Sequence, residues 1–326
     1  MAITLSRRTV VTVESETTYN DGTTPALADD ALLVFGDGAS VYTQATNIVD
    51  NPALRASLTP QKALVGRTMA TVNIGTYLMT ASKATDTAGE TSSRPFFSNL
   101  LKACGWSEAI GDDGSTSSST VYTPVSSAIE SCAIWVYADT ALHKIDGCYG
   151  SFTLTMNAGG APDLQFTMMG IYNDPIAGST SGAAYPVDDK VLVENEQITI
   201  GAFSPVVRSV TLNWATTVSE RADANDQYGF AGVQLTDRSP TLTIVVEQDA
   251  LGTFDPWADL YATPSKSISF THSTSATEDI TLSVTNPQLT NVTRSSDGGV
   301  NTLSLEYRLW SNTDDGEATL TFAKAV

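Results

Sequence analysis

"GGAPDLQFTMMGIY", residues 159–172, and "GGVNTLSLEYRLW", residues 298–310, are two versions of one phrase. Each opens on Gly-Gly and then alternates apolar with polar side chains: Leu164, Phe166 and Met168 in the first, Leu303, Leu305 and Tyr307 in the second. The spacing is constant, since 303−164 and 305−166 both give 139. Alternation with period two marks a strand with one dry and one wet face, and Gly-Gly ahead of it marks a turn. The same pattern recurs in "TVNI" (71–74), "SFTLTMN" (151–157), "VTLNWA" (210–215), "TLTIVV" (241–246) and "ITLSVTN" (280–286). The chain is therefore expected to be mainly β.

The repeat extends outward from the opening phrase. "TVNI" falls on "TLTI" at an offset of 170 (241−71), and "FSNLL" falls on "WADLY" at 160 (257−97). "SFTLTMN…GGAPDLQFTMM" is matched to "DITLSVTN…GGVNTLSLEY", and "LVGRTMA" to "QLTDRSP". The offset shrinks from 170 to 139, so the first half carries 31 additional residues (170−139). They are assigned to "ATDTAGETSSR" (84–94) and "GDDGSTSSSTVYTPVSS" (111–127), both loop-like in composition. The expectation is an internal duplication, with domains at 1–175 and 185–326 and a linker in "DPIAGSTSGAAYPVDD" (174–189).

Each half also predicts a short helix. In "SSRPFFSNLLKACG" Ser93 is the cap, Pro95 suits the first turn and Gly105 ends the helix. In "TFDPWADLYATP" Asp255 caps, Pro256 follows and Pro264 stops it; Trp257, Leu260 and Tyr261 share a face. The expected cores hold Phe97, Leu154 and Phe166 in the first half and Trp257, Leu282 and Leu305 in the second. Trp135, Trp214, Trp257 and Trp310 lie in apolar periodic segments and read as core.

Composition removes several classes of function. There are 36 Asp plus Glu against 17 Lys plus Arg, a net charge of −19, and Arg7-Arg8 is the one basic doublet. Tight nucleic-acid binding needs clustered cations on phosphates, so it is not expected, nor is attachment to an anionic membrane. No stretch is apolar for long enough to span a bilayer, and "MAITLSRRTVVTV" lacks the apolar run of a signal peptide, which predicts folding in a reducing cytoplasm. Cys104, Cys132 and Cys148 match no metal spacing and read as buried free thiols. The two histidines, His143 and His272, sit in different halves, and "DANDQYG" (223–229) departs from a calcium loop at Gln227 and Tyr228 and at Gln234. No catalytic, cofactor or metal residue is assigned.

Small hydroxyl side chains remain on the wet strand faces: Thr153, Thr155, Thr167, Thr241, Thr243, Thr281, Ser283 and Ser304. Such a face suits neither an apolar partner nor a bound anion, while free strand edges invite pairing with further copies. "LSRRT" (5–9), "FFSNLLKACGW" (96–106), "YTPVSSAIES" (122–131), "LHKIDGCYGSFTLTMNAGGAPDLQFTMMGIY" (142–172) and "LTDRSPTLTIVVE…FDPWADL" (235–260) together resemble the major tail protein, or tail tube protein, of long, flexible-tailed bacteriophages and prophages.

The resemblance implies tandem tail-tube-type β-sandwiches with flanking helices. Their inner strands would join neighbours into a continuous β-barrel, in rings that stack into a conduit for the genome. It implies a virion protein assembled in the host cytoplasm, with its own copies, a tape measure protein, a tail terminator and distal tail proteins as partners. Double-stranded DNA would pass without tight binding. Two domains per chain suggest a homotrimeric ring with pseudo-sixfold symmetry, the alternative being a homohexamer. Acidic residues on or beside wet faces are the candidate lumen lining: Asp146, Asp163, Glu247, Asp279 and Glu306. Inter-ring contacts are expected from an N-terminal arm around Arg7, Arg8 and Tyr19, dispensable for folding, and from loops near 40–65 and 106–125. The other reading of the strand pattern is an extracellular β-sandwich adhesin or carbohydrate-binding module.

Overall fold

The computed structural model describes residues 5–36, 41–52, 59, 61–80, 94–112, 117–186, 192–194, 196–225, 230–262, 266–275 and 278–325. In the first part of the chain lie β1 (Thr9–Ser15), β2 (Tyr42–Val49), β3 (Leu64–Tyr77), α1 (Ser98–Ala103), β4 (Trp106–Asp112), β5 (Ser117–Pro124), β6 (Cys132–Ala138), β7 (Ala141–Asn157) and β8 (Asp163–Ala177). The second part holds β9 (Gln197–Ile200), β10 (Val207–Asn213), β11 (Thr216–Ala222), β12 (Phe230–Arg238), β13 (Thr241–Glu247), α2 (Pro256–Ala262), β14 (Ile268–Ser275), β15 (Glu278–Val284), β16 (Pro287–Asp297), β17 (Val300–Leu309) and β18 (Thr319–Ala325). The fold is mainly β, as the alternation requires.

The largest sheet runs β2-β3-β8-β7-β10-β13-β17-β16, with β1 and β6 attached through β7. A second runs β4-β5-β18-β15-β14-β9, and β11–β12 form a separate hairpin. Alternation places the predicted side chains on the dry faces: Val72, Ile74, Phe152, Leu154, Met156, Leu164, Phe166, Met168, Val210, Leu212, Trp214, Leu242, Ile244, Val246, Ile280, Leu282, Val284, Leu303, Leu305 and Tyr307 are all buried. They belong to one core cluster that draws on both large sheets and both halves of the chain. Aromatic rings tie the halves together: Phe97 lies 5.9 Å from Phe322, and Trp106 lies 4.4 Å from Trp214. The Trp214 indole also donates to the Cys104 carbonyl at 3.1 Å. The three cysteines are free and buried.

Several expectations are corrected. "SFTLTMN" pairs with β8 inside the largest sheet, whereas "ITLSVTN" is β15 of the second sheet. The strand that pairs with "GGVNTLSLEY" as β7 pairs with β8 is β16: Phe152 faces Phe166, and Val292 faces Leu305. Within 111–127, the described part of the supposed loop is largely strand, with Leu320 of β18 opposite Tyr122 of β5. Ser and Thr read as loop formers in isolation; here the ladder to β18 supplies the backbone partners that make them strand. Trp310 lies outside the core at 40% exposure, because Leu303, Leu305, Tyr307 and Leu309 take the dry side and the next residue turns away. Tyr261 is 86% exposed at the end of α2, which packs through Trp257 and Leu260.

The helices follow two different rules. Asp255 caps α2 as expected, its Oδ1 accepting from the amides of Trp257 and Ala258 at 3.1 and 3.0 Å. Helix α1 starts at Ser98, later than Pro95 suggests, and has no side-chain cap; Ser93 and Pro264 lie outside the described residues. Helix α1 is instead held by tertiary contacts. Glu108 accepts from Ser98 and Tyr122, both at 2.6 Å, and from Arg94 at 3.0 Å. Burial pushes the Glu108 carboxyl up, yet these hydrogen bonds and the Arg94 charge outweigh it and hold the group below its ordinary value.

Two predictions follow from this packing. Phe166→Ala removes a fully buried ring between Phe97 and Phe152, and urea denaturation should show a loss of about 3–5 kcal/mol. A loss near zero would mean that the shared core does not hold the fold. Glu108, with a depressed folded pKa, stabilises the chain above the unfolded carboxyl's pKa and loses that effect as pH falls through the folded pKa. Glu108→Gln should therefore lower the melting temperature at pH 7, and the gap to wild type should close in acid. An equal gap at both pH values would assign the effect to packing.

Candidate functional site

The wet face of the largest sheet is ordered into rows by its register. One row crosses the sheet as Tyr77, Asp163, Thr155, Thr211, Thr243, Glu306 and Asn291. The next runs Gly75, Gln165, Thr153, Asn213, Thr241, Arg308 and Gln288. A third holds Asn157, Ser209, Val245, Ser304 and Thr293. Hydroxyls and amides dominate the central rows because alternation sends most apolar side chains to the other side; Val245 is an exception within them. Local bonds tie the face together: Thr167 donates to Asn73 at 3.3 Å, and Asn291 donates to Glu306 at 3.3 Å.

The structure brings three of the five candidate acids onto this face. Asp163 and Glu306 share the first row, and Glu247 lies further along β13, opposite Thr302. Glu247 is paired with Arg208 at 2.9 Å, and Arg208 also reaches Asp297. Asp146 lies beyond a register shift in β7, accepting from Asn173 at 2.6 Å and Trp135 at 3.4 Å, and burial pushes its carboxyl up. Asp279 is exposed on β15 of the second sheet, hydrogen-bonded to Ser273. Glu306 and Asp279 thus face away from each other across the core.

The N-terminal candidates are tied into the chain itself. Arg8 pairs with Asp139 at 2.8 Å, while Arg7 is exposed in a 3-10 turn. The segment after them is no detachable arm: β1 pairs with β6 throughout its length, and Val11 and Val13 are buried. Removing residues 1–20 would therefore open the core, contrary to the sequence reading. The Tyr19 hydroxyl accepts the Val233 amide at 2.8 Å, and its ring stacks on Tyr149 at 5.8 Å. Gly147 and Gly232, both at positive φ, leave room for that ring; a Cβ at either would collide with it. Burial raises the Tyr19 phenol to about 12.

Tyr19 is the clasp of the β11–β12 hairpin. Phe230, Val233 and Val218 of the hairpin pack with Met69, Met169, Ile171 and Tyr149, where the wet face turns apolar. The β2–β3 hairpin, by contrast, carries exposed apolar side chains: Ile48 is 62% and Val65 is 74% exposed. The match of "LVGRTMA" to "QLTDRSP" already sets Val65 of β3 on Leu235 of β12 at the 170-residue offset, but neither segment shows in the sequence that it is one arm of a hairpin.

At the two ends of the largest sheet stand β2 and β16, each with one neighbouring strand among those described. Among the described residues no group of His, Cys, Asp and Glu could hold a metal, and no helix is long and apolar enough to cross a membrane. The residues 226–229 of the calcium-like stretch lie outside the described ones. The described residues make a mainly β protein whose largest sheet has a polar wet face. The chain belongs to the phage tail tube protein family, which matches residues 6–309, and it is thereby a structural component of the phage tail. No curated protein matches it.

Tyr19→Phe deletes the hydroxyl and leaves the ring. Loss of this bond should cost about 0.5–1.5 kcal/mol and raise hydrogen exchange at Val233 selectively. Unchanged exchange at Val233 would show that the hairpin is held without the clasp.

Proposed function

We propose that the chain forms rings which stack into the tube of a long, flexible phage tail, and that this tube conducts the genome. The observation that carries the reading is the order of the largest sheet. The series β2-β3-β8-β7 is followed by β10-β13-β17-β16, and the two series share one register: Val72 faces Met168, and Leu242 faces Tyr307, at offsets of 170 (242−72) and 139 (307−168). The chain is two tandem copies of one tail-tube unit, within 1–175 and 185–326, each a β-sandwich with a short helix. Their inner sheets are joined edge to edge through β7 and β10. Three chains then make a pseudo-sixfold ring, with three copies of eight strands closing a 24-stranded barrel. Tape measure, terminator and distal tail proteins complete the tail, which assembles in the host cytoplasm.

The lumen wall is the threonine-rich face. Asp163, Glu247, Glu306 and Asp297 are its acids, opposed by Arg308 and by Arg208, which pairs with both Glu247 and Asp297, so the wall is only weakly negative. Asp279 and Asp146 fall outside this lining. Weak repulsion screened within about 8–10 Å keeps DNA centred, whereas bound phosphates would have to be released at each step. Ring-to-ring contact is left to Arg7 and the β4–β5 hairpin.

Electron microscopy of the purified chain should show rings or tubes, and native mass spectrometry should give three chains per ring. A chain that stays monomeric at high concentration would end the reading. In phage carrying Asp163→Lys and Glu306→Lys, DNA ejection should slow at low salt and recover as salt rises. Unaltered ejection would remove these residues from the lumen.

A further inference from the structure

We propose that β16 of one copy pairs antiparallel with β2 of the next in the register of the internal β7·β10 seam, and that the β2–β3 hairpin then covers the cleft around Trp310 of that neighbour. This inference rests on the ring reading above and specifies its subunit contact.

The internal seam is the template. Strands β7 and β10 pair antiparallel with Thr153 opposite Asn213, Leu154 opposite Leu212 and Thr155 opposite Thr211. Strand β7 is the last of its series and β10 the first of the next. The last strand of the second series is β16 and the first strand of the first is β2, and these two end the sheet. Unpaired edges of this kind present rows of amides and carbonyls that a second copy can satisfy.

Register transfers residue by residue. Tyr42 faces Val72 as Leu212 faces Leu242, so β2 stands for β10 at 170 (212−42). Phe152 faces Phe166 as Val292 faces Leu305, so β16 stands for β7 at 140 (292−152). The seam between copies therefore sets Thr293 opposite Thr43 and Arg294 opposite Tyr42. Where the internal seam buries a leucine pair, the outer one places a guanidinium against a tyrosine ring, a cation–π contact that tolerates exposure before assembly. Tyr42 is already held in place, its ring 4.4 Å from His143 and its hydroxyl 3.0 Å from His143 Nε2.

The hairpins give an independent second match. Ile48 faces Val65 as Val218 faces Leu235, again at 170, and both hairpins shift register at this point. The β11–β12 hairpin lies on the first unit over Ile171 and Met169. At the offset of 139, Ile171 corresponds to Trp310 and Met169 to Arg308. Both line a cleft of about 560 Å³. Exposed Ile48 and Val65 on one copy and exposed Trp310 on the next are thus the two sides of a contact that the chain already makes once within itself. Strand β2 and the start of β3, around Ile48 and Val65, accordingly serve the seam between neighbours in a ring.

Cysteine cross-linking in the full-length chain tests the register. The Trp214 amide donates to the Phe152 carbonyl at 3.0 Å, which makes 152 and 214 a hydrogen-bonded pair. Thr153 and Asn213, and by transfer Thr293 and Thr43, are then a non-hydrogen-bonded pair with Cα atoms about 4.5 Å apart, within disulfide reach. Oxidised Thr43→Cys/Thr293→Cys protein should yield covalent multimers at least about tenfold in excess of Thr43→Cys/Ser295→Cys, which is displaced by two residues. Rings are scored separately by electron microscopy of the reduced protein. Rings without this cross-linking preference overturn the seam and leave the ring reading standing; absence of rings overturns both. Trp310→Ser should cut ring yield without changing the melting temperature of the monomer, and undiminished rings would overturn the hairpin contact.

Discussion

Antiparallel pairing of β7 with β10 holds the architecture together. Five residue pairs, Ser209–Asn157 through Asn213–Thr153, turn what would be two sheet edges into one sheet. Because the seam is in register, the dry rows continue across it from Leu164 through Leu154, Leu212 and Leu242 to Tyr307. A slip of one residue would send this whole row to the wet side. Trp214, immediately beyond the seam, packs between Trp106 and Phe152 and carries the join into the core. Each apolar side chain so buried contributes roughly 1.5–3 kcal/mol to holding the seam.

The seam also decides where charge goes. Alternation reserves one face for side chains that need no burial, and on the central strands these are Thr, Ser and Asn. Most of the 36 acidic residues lie elsewhere: among the described residues the central rows of this face hold Asp163 and Glu306, with Glu247 and Asp297 toward one end.

Two features that look peripheral in the chain prove central in space. Strand β1 fills the core from the N-terminal side, and Glu16 after it accepts from Ser131, from the Asn20 amide and from the Gly147 amide. Tyr19 then reaches the β11–β12 hairpin some two hundred residues later in sequence, in a slot that two glycines keep open. The N-terminal segment is therefore a clasp between the halves.

Local chemistry alone determined the mainly β character, the dry-face residues and the paired offsets of 170 and 139, because period-two alternation is written into each strand. It also located Asp255 as a helix cap, since that bond spans two or three residues. The partner of each strand was legible only in part: β15 and β16 both continue the pattern of β7, and register with β17 picks β16. The hydroxyl-rich β4–β5 segment looked like loop because Ser and Thr lack the signal that its ladder to β18 supplies. Exposure of Trp310 and Tyr261, and burial of β1, were settled by tertiary structure. A periodic pattern says which side chains share a face; the neighbouring strands and helices decide which face is covered.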